Sequence, residues 1–199
     1  MRRIIIYWAR LRGLIYSLKS LSGANFHLRL YKELRISSSR IRFGKGVVIY
    51  YNARIEAIIF YEEINYNPII EFGNNVTIQQ NIHLTCAQHV TIGQNTAIAA
   101  NVTITDINHP YDNIKLPIDK QRLKVFPVKI GNDCKIYNNA VILPGVTIGN
   151  HCVIGANSVV NQNIPDYSIV AGTPARIIKR FDFSTQNWRK TNQQGEFID

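Results

Sequence analysis

The sequence predicts an all-β solenoid, a parallel β-helix of triangular coils, and three observations carry that expectation. The first is a six-residue period from Ile130 to Pro165, IGNDCK–IYNNAV–ILPGVT–IGNHCV–IGANSV–VNQNIP, in which Ile130, Ile136, Ile142, Ile148, Ile154 and Val160 open each six. The second is a small or apolar side chain four residues later, at Cys134, Ala140, Val146, Cys152, Ser158 and Ile164. The third is Gly or Asn in the stretches between, with glycine directly after the opening residue at 131, 149 and 155. A period of six fits neither an amphipathic helix nor strand alternation over so long a run. It fits a coil in which each six supplies one short strand and one bend, so that three sixes close a triangle. The opening aliphatic then points into the prism. Gly and Asn occupy the bends because such backbones often need positive φ.

The rest of the chain arranges itself around this block as a basic, helical segment over 1–40, the β-helix over 41–178 and a tail over 179–199. Residues 1–22 read as a helix, since Ile4, Trp8, Leu11, Ile15 and Leu18 recur at spacings of three and four and make one apolar face. Arg2, Arg3, Arg10, Arg12 and Lys19 surround that face. It is expected to pack on the solenoid end or on a neighbouring subunit, with an anionic membrane surface as the alternative. An irregular coil, FGKGVV–IYYNAR–IEAIIF, opens the solenoid as a capping repeat. Residues 61–71 break the period as a surface excursion. The sixes resume as FGNNVT–IQQNIH–LTCAQH and, after two extra residues, as IGQNTA–IAANVT–ITDINH. They stop at His109. The stretch 110–127, with three prolines and four basic residues, has no hexad and reads as a long surface loop of the kind that often carries function. After the regular block, DYSIVAGTPARIIKRF reads as a strand, a Gly-Thr-Pro turn and a basic strand or helix start. The polar tail reads as a loosely ordered arm.

Composition narrows the function classes. The 199 residues suit one domain, and no run is long and apolar enough to span a bilayer. The start, MRRIIIYWARLR, lacks a small-residue cleavage site after its interrupted apolar run, so a cytoplasmic protein rather than a secreted one is expected. Three cysteines without metal-type spacing, Cys86, Cys134 and Cys152, read as buried packing residues. A net charge of +10 points to anionic partners. Nucleic acid is set aside because no recognition helix, zinc finger or stacking platform accompanies the charge. A polyphosphate co-substrate, or a phosphate-linked and membrane-carried substrate, accounts for it instead.

His109 is the leading candidate for chemistry. It ends the last regular six before the loop, so a rigid coil holds it beside a mobile, basic flap. Asp106 and Asn108 lie close enough in sequence to orient its ring. An imidazole titrating near neutrality suits the removal of a proton from a hydroxyl that attacks an acyl carbonyl.

The regular block, the preceding ITDINHPYDN and the closing IVAGTPARIIK together resemble the hexapeptide-repeat acyltransferases. The branch they look most like contains galactoside and maltose O-acetyltransferases, streptogramin acetyltransferases and O-acetyltransferases of O-antigen and capsule clusters. The resemblance covers roughly residues 70–180. It implies a left-handed β-helix, a homotrimer with active sites between subunits, and direct transfer of acetyl from acetyl-CoA to a hydroxyl with no metal. The family's catalytic histidine falls on His109, and Asp106 matches the acidic position that commonly precedes it. His83 matches an acceptor-contacting Asn or His, and Asn108 and Tyr111 beside the catalytic position are further acceptor candidates. Asn138 and Ala156 match positions whose amides meet the thioester carbonyl and the pantetheine arm. Gly172, Thr173, Pro174, Arg176 and Lys179 match the motif near the adenylate end, where basic side chains pair with phosphates. The chain departs from the pattern at Lys135-Ile136-Tyr137, where Tyr137 is expected to replace an aromatic wall. It departs again at Asn161-Gln162, which lacks the usual cation.

The resemblance thus implies O-acetylation of a saccharide of a surface polysaccharide, or of its lipid-linked precursor. N-acylation of a nucleotide-linked amino sugar is the alternative, since the same base serves an amine. A γ-type carbonic anhydrase would need three zinc-binding histidines, and His83, His89 and His109 lack that family's spacing. The long helical domain of serine O-acetyltransferases has no room here. A non-catalytic assembly subunit is disfavoured by the retained Asn108-His109-Pro110 corner.

Overall fold

The computed structural model describes residues 2–32, 34–192 and 194–198, and the side chains of Arg2, Arg3 and Ser38 are not among those described. The side chains of the arginines expected to flank the helix at positions 2 and 3 are therefore not described, and Gln193 and Asp199 of the expected tail lie outside the described residues.

The hexads form the three faces of a left-handed parallel β-helix. The chain visits the faces in constant order. The first face runs through Arg29–Leu30, Val48–Ile49, Thr77–Ile78, Ala97–Ile98, Lys135–Ile136, Val153–Ile154 and Ser168–Gly172. The second runs through Arg35–Ile36, Arg54–Ala57, His83–Cys86, Thr103–Thr105, Val141–Ile142 and Val159–Val160, and the third through Ile41–Phe43, Ile69–Phe72, His89–Ile92, Val128–Ile130 and Thr147–Ile148. Neighbouring strands are parallel and in register, so each opening aliphatic stacks on its equivalent, as Ile136 does on Ile98 and Ile154. All six opening residues of the regular block, and the six small residues four positions later, are buried. The period is the period of the core.

The bends divide the labour of Gly and Asn differently from the expectation. Positive φ is carried by Asn81, Asn101, Asn139 and Asn157 at the corner between the first and second faces. Their side chains hydrogen-bond in a ladder along that corner, 2.9, 3.0 and 2.9 Å from one coil to the next. The glycines after the opening aliphatics have ordinary φ and serve another need. A Cβ on Gly131 would stand 2.5 Å from the backbone oxygen of Gly149. Close stacking, not left-handed backbone, selects glycine there.

Both ends of the solenoid reach past 41–178. Arg29–Leu30 already belongs to the first face. At the other end Ala175–Asp182 and Asn187–Lys190 extend that face as antiparallel strands, so the tail is not a loose arm. It is held by an aromatic cluster in which Phe181 meets Phe183 and Trp188 edge-on, with ring centroids 5.0 and 5.6 Å apart.

Helix α1 (Arg2–Leu18) covers the first coil, but not with the face expected to pack. Ala9, Gly13 and Ser17, four residues apart, are the buried ones. A Cβ on Gly13 would lie 2.1 Å from the carbonyl oxygen of Leu28, so the helix sits against backbone. Ile4, Trp8, Leu11, Ile15 and Leu18 point away from the solenoid and are exposed. No described helix is long and apolar enough to cross a membrane.

Candidate active site

Two interruptions of the period leave the prism at the same corner, between the second and third faces. The first is a hairpin, Phe60–Tyr61 paired with Ile64–Asn65, and Ile69–Phe72 has already rejoined the third face. The excursion is therefore shorter than 61–71. The second is the loop after His109. Its base is closed by Ile107–Asn108 pairing antiparallel with Lys124–Val125, and inside it Gln121 donates to the carbonyls of Asn113 and Leu116. The hairpin and loop meet, with the Tyr61 hydroxyl donating to the Asp119 carbonyl at 2.6 Å and Lys120 pairing with Glu62 at 3.0 Å. The loop is thus an anchored wall and not a free flap.

Beneath this bridge, on the outer side of the second face, lies a cleft of about 390 Å³. His83 and His109 both line it, with Arg54 at one side and Tyr61 and Leu123 under the bridge. Its floor is a row of threonines, of which Thr85 donates to Thr105 at 2.8 Å. Tyr61 packs edge-on against the His109 ring, with centroids 5.5 Å apart. The His109 Nδ1 faces Asp119 at 3.9 Å. Partial burial, then the Arg54 charge, hold the His83 imidazole below its ordinary titration range, which favours the neutral ring.

Asp106 does not serve His109. Strand alternation turns it inward beside Ile104, and it is fully buried. Its carboxylate accepts the amides of Ala87, Gln88 and His89, each at 2.8 Å, which staples the bend carrying the two extra residues. It also takes the Cys86 thiol at 3.3 Å. Burial, then the Asp106 charge, push that thiol far above its ordinary range, so Cys86 is not poised as a nucleophile. Asn108 stands in the loop-closing ladder, and the exposed Tyr111 is not part of the cleft lining.

The candidates for the co-substrate occupy another edge. Asn138 and Ala156 sit on adjacent coils at the corner of the asparagine ladder, where the Asn157 amide donates to the Asn138 carbonyl at 2.9 Å. Thr173 continues the file by donating to the Asn157 carbonyl at 3.0 Å. Gly172, Thr173 and Pro174 form the tight reversal between the last parallel strand and Ala175–Asp182, with Gly172 at φ +106°. Arg176 and Lys179 follow on that strand, half-buried. Tyr137 is exposed beneath the Lys135 ammonium, 5.5 Å above its ring. Asn161 projects from a different corner, after Val159–Val160, and is separated from the rest. None of these residues lines the histidine cleft.

Residues 127–162 match the model of the bacterial transferase hexapeptide (six repeats). Over this stretch the chain is similar to the hexapeptide-repeat transferases. WbbJ of Escherichia coli (strain K12), named for lipopolysaccharide biosynthesis O-acetyl transfer, is 40% identical over 129 residues, 61% of this chain and 66% of that protein. Galactoside O-acetyltransferase of the same organism is 36% identical over 66% of this chain and 62% of its own length. Both matches span less than two thirds of the relative. Among solved structures, a galactoside acetyltransferase in complex with coenzyme A aligns over 98% of this chain and 90% of that chain, with a TM-score of 0.55 and 26% identity.

Sequence reasoning missed Tyr61, Arg54 and the threonine row as cleft residues, and Asp119 as the neighbour of His109. The hairpin looked like an excursion with no partner, because its contact with the loop is made in space across 58 residues. A signal was present all the same. Counting sixes places both interruptions after a second-face strand, and hence at one corner. His89, the third histidine weighed for zinc, is on the third face, where its Nε2 pairs with Glu71 at 2.7 Å.

Proposed function

We propose that this protein transfers acetyl from acetyl-CoA to a sugar hydroxyl of a surface polysaccharide, such as O-antigen or capsule, or of its precursor, on the cytoplasmic side. The observation that carries the reading is the cleft in which His109 and His83 converge under two loops, in a chain related to a lipopolysaccharide O-acetyl transferase and a galactoside O-acetyltransferase. His109 takes the proton of the acceptor hydroxyl as its oxygen bonds to the thioester carbonyl carbon. Collapse of the tetrahedral adduct breaks the carbon–sulfur bond. The imidazolium then returns the proton to the departing CoA sulfur, and the sugar leaves as its acetyl ester. His83, kept neutral, hydrogen-bonds the acceptor.

Because the cleft and the co-substrate file lie on different edges of one prism, the reading includes a homotrimer in which one subunit's corner faces its neighbour's cleft. There the Asn138 amide meets the developing oxyanion, a contact of the kind that contributes about 3–4 kcal/mol in comparable sites. The Ala156 amide holds the pantetheine arm beside Tyr137, and Arg176 and Lys179 pair with the phosphates.

The test is acetyl-CoA turnover against a panel of saccharides and nucleotide-linked amino sugars, read as free thiol. His109→Ala is expected to lose roughly 10²–10⁴-fold in kcat with an unchanged melting temperature. Equal turnover by the variant removes the base assignment, and transfer to an amine alone replaces the O-acetyl reading with N-acylation.

A further inference from the structure

We propose that α1 rests on an anionic membrane surface, holding the solenoid at the lipid by its N-terminal end. The helix carries small residues on one side and large apolar ones on the opposite side. At 100° per residue, Ala9, Gly13 and Ser17 centre the face that docks on the coil, and Ile4, Leu11 and Ile15 centre the face directly across from it. That outer stripe, with Trp8 and Leu18 at its margins, is between 36% and 64% exposed at each residue. It runs about 21 Å along the helix. The small inner residues let α1 lie close to the backbone near Leu28, so the bulky residues are left over for something outside the subunit.

Charge selects the occupant. On the helical wheel Lys19 and Arg12 border the outer stripe on one side, with the Arg12 Nε donating to the Leu30 carbonyl at 3.1 Å. The exposed Arg10 lies on the other side beyond Tyr7 and Leu14, near enough for its long side chain to reach lipid phosphates while the apolar row is buried. The first 32 residues hold seven Arg or Lys and no Asp or Glu. A second copy of the helix laid on this stripe would set its own Arg10, Arg12 and Lys19 against these, with no acid on either helix to answer them. An anionic bilayer answers all of them. Beside the stripe a groove of about 460 Å³ between α1 and the first coil continues the same character, with Ile5, Trp8, Tyr31 and Tyr51 as walls and Arg12 and Lys32 as its cations. Tyr31 is braced by stacking on Tyr50, centroids 4.7 Å apart. This gives an interfacial aromatic edge next to two headgroup-binding charges.

Flotation of the full chain with vesicles of phosphatidylcholine, with and without an equal share of phosphatidylglycerol, tests the proposal. The wild type is expected to float with the anionic vesicles and to fall off as salt rises. Leu11→Glu with Ile15→Glu is expected to weaken partition roughly a hundredfold or more. Arg10→Gln with Lys19→Gln, which spares the stripe, is expected to weaken it roughly thirtyfold on anionic vesicles and little on neutral ones. Melting temperatures are read alongside, and the charge pair keeps the test intact should the glutamates disturb the fold. Wild-type protein that ignores anionic vesicles overturns the proposal, as does equal flotation of the wild type and both variants. An oligomer that dissociates in the glutamate variant without any wild-type flotation assigns the stripe to a second copy instead.

Discussion

The block from Ile130 to Val160 and the corner between the second and third faces near His109 are built from the same hexads, yet they do opposite things. In the block every opening residue is buried on its equivalent in the next coil, the asparagine ladder runs unbroken, and glycine allows carbonyls and backbones to stack. At the corner the period fails three times. The hairpin, the two extra residues after Cys86 and the loop all leave there, and the candidate catalytic cleft forms under them. Regularity supplies a rigid frame, and the departures from it supply the concavity and the side chains that chemistry needs. A prism without insertions presents three flat faces.

The sharpest way to test this division is to damage the frame far from the cleft. Ile142→Ala, at a fully buried position of the block, is expected to destabilise the protein by about 2–5 kcal/mol. Thermal and denaturant melts measure it. Turnover by the folded fraction should stay near wild type, in contrast to His109→Ala, whose loss is in kcat alone. A variant that melts normally but fails in catalysis would break the separation between frame and corner.

Asp106 is where the two regions join, and its substitution tests the correction made to its role. Asp106→Asn removes a charged acceptor from three backbone amides and turns an amide donor toward at least one of them. The expected cost is about 1.5–3 kcal/mol in stability, with a fall in activity that follows from the displaced bend next to His83. An unchanged melting temperature together with a large kcat loss would instead make it the histidine's partner.

The frame was legible because its signal is repeated. Ile130, Ile136 and their equivalents each state the same burial, and six statements of one rule outweigh any local ambiguity. The role of Gly131 was misread, because positive φ and close backbone approach both select glycine and only the next coil, unseen in a local reading, tells them apart. Asp106 was misjudged by closeness in sequence to His109, although period-two alternation with Ile104 already turned it inward. The contact of Tyr61 with Asp119 was not read either, since neither non-periodic loop names its partner and only the count of sixes puts both at one corner. The inner face of α1 was hidden for a related reason. Ala9, Gly13 and Ser17 have little hydrophobic weight, yet they are what lets a helix approach a backbone, whereas the large residues that dominate the pattern face outward.

The smallest effect expected comes from His83, and it bears on how gently the corner sits on the frame. Its imidazole is held below the ordinary value of 6.5 by partial burial, then by Arg54. A histidine whose folded pKa is depressed stays neutral in the native state while the unfolded chain takes up the proton, so the unfolded state binds more protons as pH falls through 6.5. The stability this residue contributes is therefore present above that pH and is lost below it. His83→Gln is expected to flatten the acid side of the stability profile between neutral pH and the native imidazole's lowered titration point, by an amount kept modest by the residue's exposure. Melting temperatures across that window check it. A steeper slope in the variant would mean that the ring is charged in the native cleft, paired with Glu56 rather than repelled by Arg54, and would remove the neutral hydrogen-bonding role proposed for it.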